Sequence, residues 1–196
     1  LMQRKSRGLA QQVIGGAAWV GAGRMGVRAV SVISTVVLAR LLTPEDFGLV
    51  AVAMAFVAVL SHMSSLGFNQ ALIRFQDADR EDYGTAWTLN AARGTLLGAI
   101  LLGLSGPVAV FYGDERLAPL LAVVALIPLI GGLENVRLVD FEKGMDFRPL
   151  SALMVAVKLL SFIVTVTVAI LTRSYWALIA GAVTAQAIRV AASYLL

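Results

Sequence analysis

Cysteine is absent from these 196 residues, and histidine occurs once, at His62. The first absence removes disulfides, thiolate nucleophiles and thiolate metal sites together; the second leaves too little imidazole for a metal or catalytic cluster. Charge is scarce too, at 14% against 59% hydrophobic residues, far from the balance of a soluble domain. An integral membrane protein is the expectation. Within the long apolar runs acids are missing altogether, since all twelve Asp and Glu fall in the connecting segments. Cations are not so confined: Arg28, Arg93, Lys158 and Arg189 stand inside apolar runs. Each such charge at a bilayer centre costs about 2.5 to 3.5 kcal/mol on insertion scales, so the four together cost roughly 10 kcal/mol. Cations kept at that cost call for an anion, a watery cavity or a snorkelling route.

Six apolar segments run over about 14–42, 48–66, 85–112, 117–133, 149–172 and 175–196, each near the ~20 helical residues that cross a bilayer. The first is too long for a cleavable signal peptide. Pro119 and Pro128 place the fourth segment's start at a helix N-terminal turn and a kink within it. Between the fourth and fifth segments Val136, Leu138, Val139, Phe141, Met145 and Phe147 alternate with charges, the pattern of a short helix lying in the membrane interface. Lys and Arg in the flanks number eight on the side of the N-terminal tail and three on the other, which predicts both termini on the cytoplasmic side. The chain opens Leu1-Met2 and stops in the apolar pair Leu195-Leu196, as expected for the N-terminal part of a longer protein.

The polar residues inside these segments form faces. Arg24, Arg28, Ser31 and Thr35 share a stripe on the first helix, Asn90 and Arg93 lie one turn apart on the third, Ser151, Lys158, Ser161, Thr165 and Thr172 line the fifth, and Gln186, Arg189 and Ser193 the sixth. At ~1.5 Å per residue, Lys158 and Arg93 sit roughly 12 to 14 Å from the inner ends of their helices and Arg28 about 21 Å from the outer end of its own. Arg24, nearer the boundary, is expected to snorkel. Arg28, Arg93, Lys158, Arg189, Asn90 and Gln186 are therefore the candidate substrate-binding residues, with anion recognition as their chemistry.

Gly21-Ala22-Gly23-Arg24-Met25-Gly26 matches the dinucleotide pattern G-x-G-x-x-G, but no strand precedes it and it lies within a helix pattern. Ala18, Ala22 and Gly26, spaced by four, instead suit close approach of a second helix. No phosphate-binding G-x-x-x-x-G-K-[ST] occurs. His62 and its polar neighbours Ser61, Ser64, Ser65 and Asn69 suit a hydrogen-bonded helix end. No catalytic residue, metal, cofactor or nucleic-acid partner is expected, and the chain is expected not to be an enzyme.

The string Leu38-Ala39-Arg40-Leu41-Leu42-Thr43-Pro44-Glu45-Asp46-Phe47-Gly48-Leu49 resembles the first inter-helix turn of bacterial oligosaccharide and polysaccharide flippases. These form the lipopolysaccharide and exopolysaccharide exporter branch of the multidrug/oligosaccharidyl-lipid/polysaccharide superfamily. Similar strings follow in order: Leu66-Gly67-Phe68-Asn69-Gln70-Ala71-Leu72-Ile73, Thr85-Ala86-Trp87-Thr88-Leu89-Asn90, Phe111-Tyr112-Gly113-Asp114, Met145-Asp146-Phe147-Arg148 and Tyr175-Trp176-Ala177-Leu178. The resemblance implies an all-α membrane protein, its six transmembrane helices forming the N-terminal lobe of a two-lobe alternating-access transporter in the bacterial cytoplasmic membrane. The implied cargo is a polyprenyl-diphosphate-linked oligosaccharide, with membrane lipids and a polysaccharide polymerase or glycosyltransferase as further partners. Family members often carry an acid where Ser65 stands here, and drug exporters of the superfamily an acid in the first helix, where Arg24 and Arg28 stand here. A cation-coupled small-molecule or drug exporter is thus the weaker alternative, beside a membrane enzyme acting on the lipid carrier or a noncatalytic scaffold of a polysaccharide assembly complex.

Overall fold

Helix is what the bilayer demands of a chain this apolar, because only helices and closed barrels satisfy their own backbone groups in hydrocarbon. The computed structural model describes residues 2–64, 80–135 and 147–194. Seven helical segments run through them: α1 Met2–Leu41, α2 Pro44–Met63, α3 Arg80–Tyr112, α4 Leu117–Val124, α5 Leu126–Gly132, α6 Phe147–Thr172 and α7 Trp176–Ser193. Stretches of α1, α2, α3, α6 and α7 are each long and apolar enough to cross a membrane, and the chain is a multi-pass, all-helical membrane protein. α4 and α5 are two halves of one shorter apolar path, Leu117–Gly132.

The ends of these helices are written in local chemistry. Thr43 caps α2 in a reciprocal box: its hydroxyl accepts from the Asp46 N–H (3.3 Å) and its own N–H donates to Asp46 Oδ2 (2.9 Å), with Pro44 in the first turn. α3 ends at Gly113, whose φ of 67° lets its N–H reach Val110 O (3.2 Å) while the Asp114 N–H reaches Ala109 O (3.1 Å). That paired closure needs a left-handed residue, which glycine adopts without a Cβ penalty. Arg173, after α6, holds the same region at φ 45° without that advantage. The break between α4 and α5 falls at Ala125. Pro128 has no N–H for the Val124 carbonyl four residues back, and its ring crowds that carbonyl, as the sequence predicts.

The first helix begins at Met2 rather than near residue 14, and α2 starts four residues earlier than the expected 48, because the Thr43 cap and Pro44 nucleate it ahead of the apolar run. The expected interfacial helix between the fourth and fifth segments lies, for 136–146, outside the described residues.

Two groups of helices meet along α7. α1 packs on α6 and α6 on α7, while α2, α3 and the α4–α5 path pack together; α7 touches both α4 and α5. The larger core gathers Leu49, Ala53 and Val57 of α2, Leu101 and Val108 of α3, Leu117, Leu120, Leu121 and Val124 of α4, and Ile179 of α7. Leu120, Leu121 and Val124 are fully inaccessible, so α4, which carries no polar side chain, is the packing centre of its group. A smaller cluster, Leu38, Leu42, Ala169 and Ala177, ties α1 to the α6–α7 turn. In lipid the hydrophobic effect gives little reason for helices to associate, and close backbone approach takes its place. Gly94 of α3 and Gly132 of α5 lie almost backbone to backbone: a Cβ on Gly94 would stand 2.5 Å from Pro128 O and 2.8 Å from Gly132 Cα. Of the small residues predicted to admit a neighbour to α1, Gly26 does so, against Val155 of α6.

Candidate functional site

The stripes of polar residues open onto two cavities, both bordered by α7. The larger, about 630 Å³, lies between α1, α6 and α7. Arg24 and Arg28 enter it from α1, Lys158 from α6 and Arg189 from α7, with Ser34, Ser161 and Thr165 among the other lining residues. No acid lines it, and none of the four cations is ion-paired with an acid among the described residues. Ser161 donates to the Gly181 carbonyl (2.9 Å) and Thr165 to the Ser161 carbonyl (2.7 Å), so these two hydroxyls are held while the cations are not. Thr165 Oγ1 lies where a Cβ on Gly181 would be, which makes glycine a requirement of this α6–α7 contact.

The smaller cavity, about 250 Å³, lies between α2, α3 and α5 and meets α7 at Gln186. Ser61, Asn90, Arg93, Glu134 and Gln186 are its polar lining, and Gly94, Pro128, Gly131 and Gly132 its backbone wall. Arg93 donates through Nε to Ser64 Oγ at 3.1 Å. Asn90 Nδ2 points to the Gly131 and Gly132 carbonyls at 3.5 and 3.4 Å, partners for carbonyls that a helix end leaves open. Beside this cavity Trp87 donates to the Tyr194 hydroxyl (3.0 Å), which donates to Leu133 O (2.8 Å), and the Asn135 N–H donates to Ser193 Oγ (3.0 Å). The segment after α5 is thereby stitched to α3 and α7.

The candidate residues thus divide. Arg28, Lys158 and Arg189 share the larger cavity, whereas Arg93, Asn90 and Gln186 belong to the smaller. Arg24, expected to snorkel, lines the larger cavity beside Arg28, one turn away on the same face of α1; the stripe itself carried that signal. Ser31 and Thr35 of the same stripe spend their hydroxyls on the Val27 and Ser31 carbonyls, and Ser34 takes the cavity position instead. His62 is exposed at the end of α2.

Glu134, one of the acids that the sequence places in connecting segments, joins a cavity. It follows α5 directly, outside the spanning segments, and is folded back against the smaller cavity. Burial pushes its carboxyl above the usual carboxylate range, and the Arg189 guanidinium pulls partly the other way. The carboxyl also stands at the C-terminal, negative end of α5, where a carboxylate is disfavoured.

A helical multi-pass membrane protein with an unpaired cationic cavity beside a mixed-charge one is the class these features define. Residues 37–196 match the family described as polysaccharide biosynthesis protein, and the chain belongs to that family. It is 28% identical over 178 residues to the succinoglycan biosynthesis transport protein ExoT of Rhizobium meliloti, covering 90% of this chain and 36% of the relative. The teichuronic acid biosynthesis protein TuaB of Bacillus subtilis is 25% identical, over 79% of this chain and 32% of its own length. The lipopolysaccharide biosynthesis protein WzxC of Escherichia coli is 23% identical, over 81% and 32%. The chain therefore spans about a third of the length of these relatives. No solved structure matches it significantly.

Proposed function

We propose that this chain is the N-terminal lobe of a flippase that moves polyprenyl-diphosphate-linked oligosaccharide across the bacterial cytoplasmic membrane, both ends of the segment facing the cytoplasm. The observation that carries the reading is the convergence of Arg24, Arg28, Lys158 and Arg189 on one cavity that no acid lines among the described residues. A diphosphate matches such a site, because guanidinium forks and an ammonium bind its oxygens and its charge offsets the cost of holding cations at that depth. The relatives' names support the polysaccharide context, one of them as a transport protein. Carriage needs no covalent step, so the protein is read as a transporter rather than an enzyme. A second lobe, outside this chain, would close the cavity on its open side and rock against this one.

The test is flipping of a labelled polyprenyl-diphosphate oligosaccharide by the full-length protein in liposomes. At an effective dielectric constant of 20 and a separation of about 8 Å, losing one cation removes about 2 kcal/mol of attraction per ligand charge, on the order of thirtyfold in affinity. Arg28→Ala, Lys158→Ala and Arg93→Ala should each lower flipping at limiting cargo, while Arg40→Ala, at an exposed position on the last turn of α1, should not. Undiminished flipping in all three overturns the assignment of the cavities to cargo; a wild-type protein that does not flip overturns the function.

A further inference from the structure

The smaller cavity is an odd companion to the larger one. It holds Arg93 and the amides of Asn90 and Gln186, donors suited to an oxyanion, yet it already contains an anion of its own in Glu134. Among the described residues, the groups around that carboxyl are few. Arg93 of α3 and Gln186 of α7 line the same cavity, and Arg189 of α7 acts on the carboxyl electrostatically. α2 offers Val57 and Ser61, α5 offers Pro128, Gly131 and Gly132, and the Tyr194 hydroxyl beyond α7 is engaged on Leu133 O. Glu134 makes no ion pair with either arginine. It is therefore an acid placed among anion donors without being locked to them.

We propose that the smaller cavity is a proton-gated anion subsite in which Glu134 is the resident counter-anion, so that a phosphate-type group enters beside Arg93 only once that carboxyl is protonated or displaced. The inference rests on the cargo reading above. With the carboxylate ionised, an incoming oxyanion meets a like charge in a half-buried space, and Asn90, Gln186 and Arg93 are shared between the two. Protonation removes the repulsion and turns the carboxyl into one more donor. The raised proton affinity that burial gives Glu134 brings this exchange closer to neutral pH. The gain falls on the cargo's charged end, so the device tunes affinity without touching the glycan.

The experiment is equilibrium binding of polyprenyl diphosphate, and separately of inorganic diphosphate, to the full-length protein in nanodiscs between pH 5 and 8. Glu134→Gln and Glu134→Asp are compared with wild type; the ligand's own titration is common to all three and cancels in the ratio. Glu134→Gln is expected to bind on the order of tenfold tighter than wild type at pH 8, the size of one relieved charge repulsion, and the gap should narrow as the pH falls. Glu134→Asp, which keeps the charge and folds as an acid, should retain a pH dependence like that of wild type. A gap with the lipid alone assigns the subsite to the lipid-borne headgroup, and a gap with both ligands assigns it to the anion itself. Equal affinities of Glu134→Gln and wild type at pH 8, or a gap that does not change with pH, overturn the proposal while leaving the flippase reading intact. Absence of saturable binding in all three proteins overturns both.

Discussion

Replacing Gly94 by alanine adds one methyl group where α3 crosses α5, and the outcome can be worked from the backbone. The new Cβ would stand 2.5 Å from Pro128 O, 2.8 Å from Gly132 Cα and 3.0 Å from Gly132 N. Ordinary contact begins near 3.4 Å, so the crossing must open by about 0.9 Å, and every obstructing atom is backbone that no rotamer change can move. Overpacking of this kind costs about 1 to 3 kcal/mol, while glycine to alanine within a helix returns at most about 1 kcal/mol. The net expectation is destabilisation by about 1 to 2 kcal/mol. Gly103 is the internal control: it lies on the same helix, and a Cβ there meets nothing within 4 Å, so Gly103→Ala keeps only the propensity gain. Thermal unfolding of the full-length protein in detergent should place Gly94→Ala below wild type and Gly103→Ala at or above it. Because Gly94, Pro128 and Gly132 also wall the smaller cavity, the same displacement should weaken any effect of Glu134 on ligand binding. If Gly94→Ala melts with Gly103→Ala, the α3–α5 contact is not as close as described and the shape of that cavity is wrong with it.

Glu134 makes a stability prediction separate from binding: its raised pKa means that ionisation is harder in the folded protein, so the penalty is fully present above the raised value, is removed as pH falls through it, and is absent below the ordinary 4.5. Glu134→Gln should accordingly melt higher than wild type at neutral pH, with the difference vanishing on acidification; a difference that grows toward low pH refutes the assignment. Thr43→Ala removes the α2 cap and should cost about 1 kcal/mol in the same melting assay, with Asp46→Ala costing a similar amount because the two side chains cap one another; no change in either contradicts the capping box. Arg173 occupies the left-handed region at φ 45°, so Arg173→Gly should stabilise by about 1 kcal/mol and Arg173→Val should destabilise; the reverse order would contradict the conformation assigned to the α6–α7 turn.

What sequence discloses here is the part governed by local rules. Spans follow from the length of apolar runs. The strings around Thr43 and Gly113, which carry much of the family resemblance, prove to be helix-end devices: a capping box with Pro44 behind it, and a paired left-handed closure. The break at Ala125 follows from Pro128. The stripe on α1, Arg24 included, is legible in the sequence, while the finer rotation that brings in Ser34 and leaves out Ser31 and Thr35 is not. That rotation is set by where α6 meets Gly26, a pairing that periodicity cannot choose. Arg93 resembled Lys158 in depth and residue type, yet it faces the other cavity because α3 is held to α5 by the Gly94–Gly132 contact. Glu134 is not legible in the sequence, because no local rule distinguishes a loop acid that stays in water from one in a segment drawn back by Tyr194 and Ser193.

The placement of α7 makes the two cavities one electrostatic system. Gln186 and Arg189 are three residues apart, about 60° around a helix, and that small angle is enough for one to line the smaller cavity and the other the larger. Arg189 nevertheless lowers the proton affinity of Glu134 across this thin wall. On the proposed reading, an anion bound in the larger cavity would screen that influence, and Glu134 would then hold its proton more tightly. Thermodynamic reciprocity would then have a protonated Glu134 strengthen anion binding beside Arg189 by the same factor. Coupling of this sign needs no acid inside the apolar spans. It needs one at their edge, within reach of the last cation on α7, and that is where the fold puts Glu134.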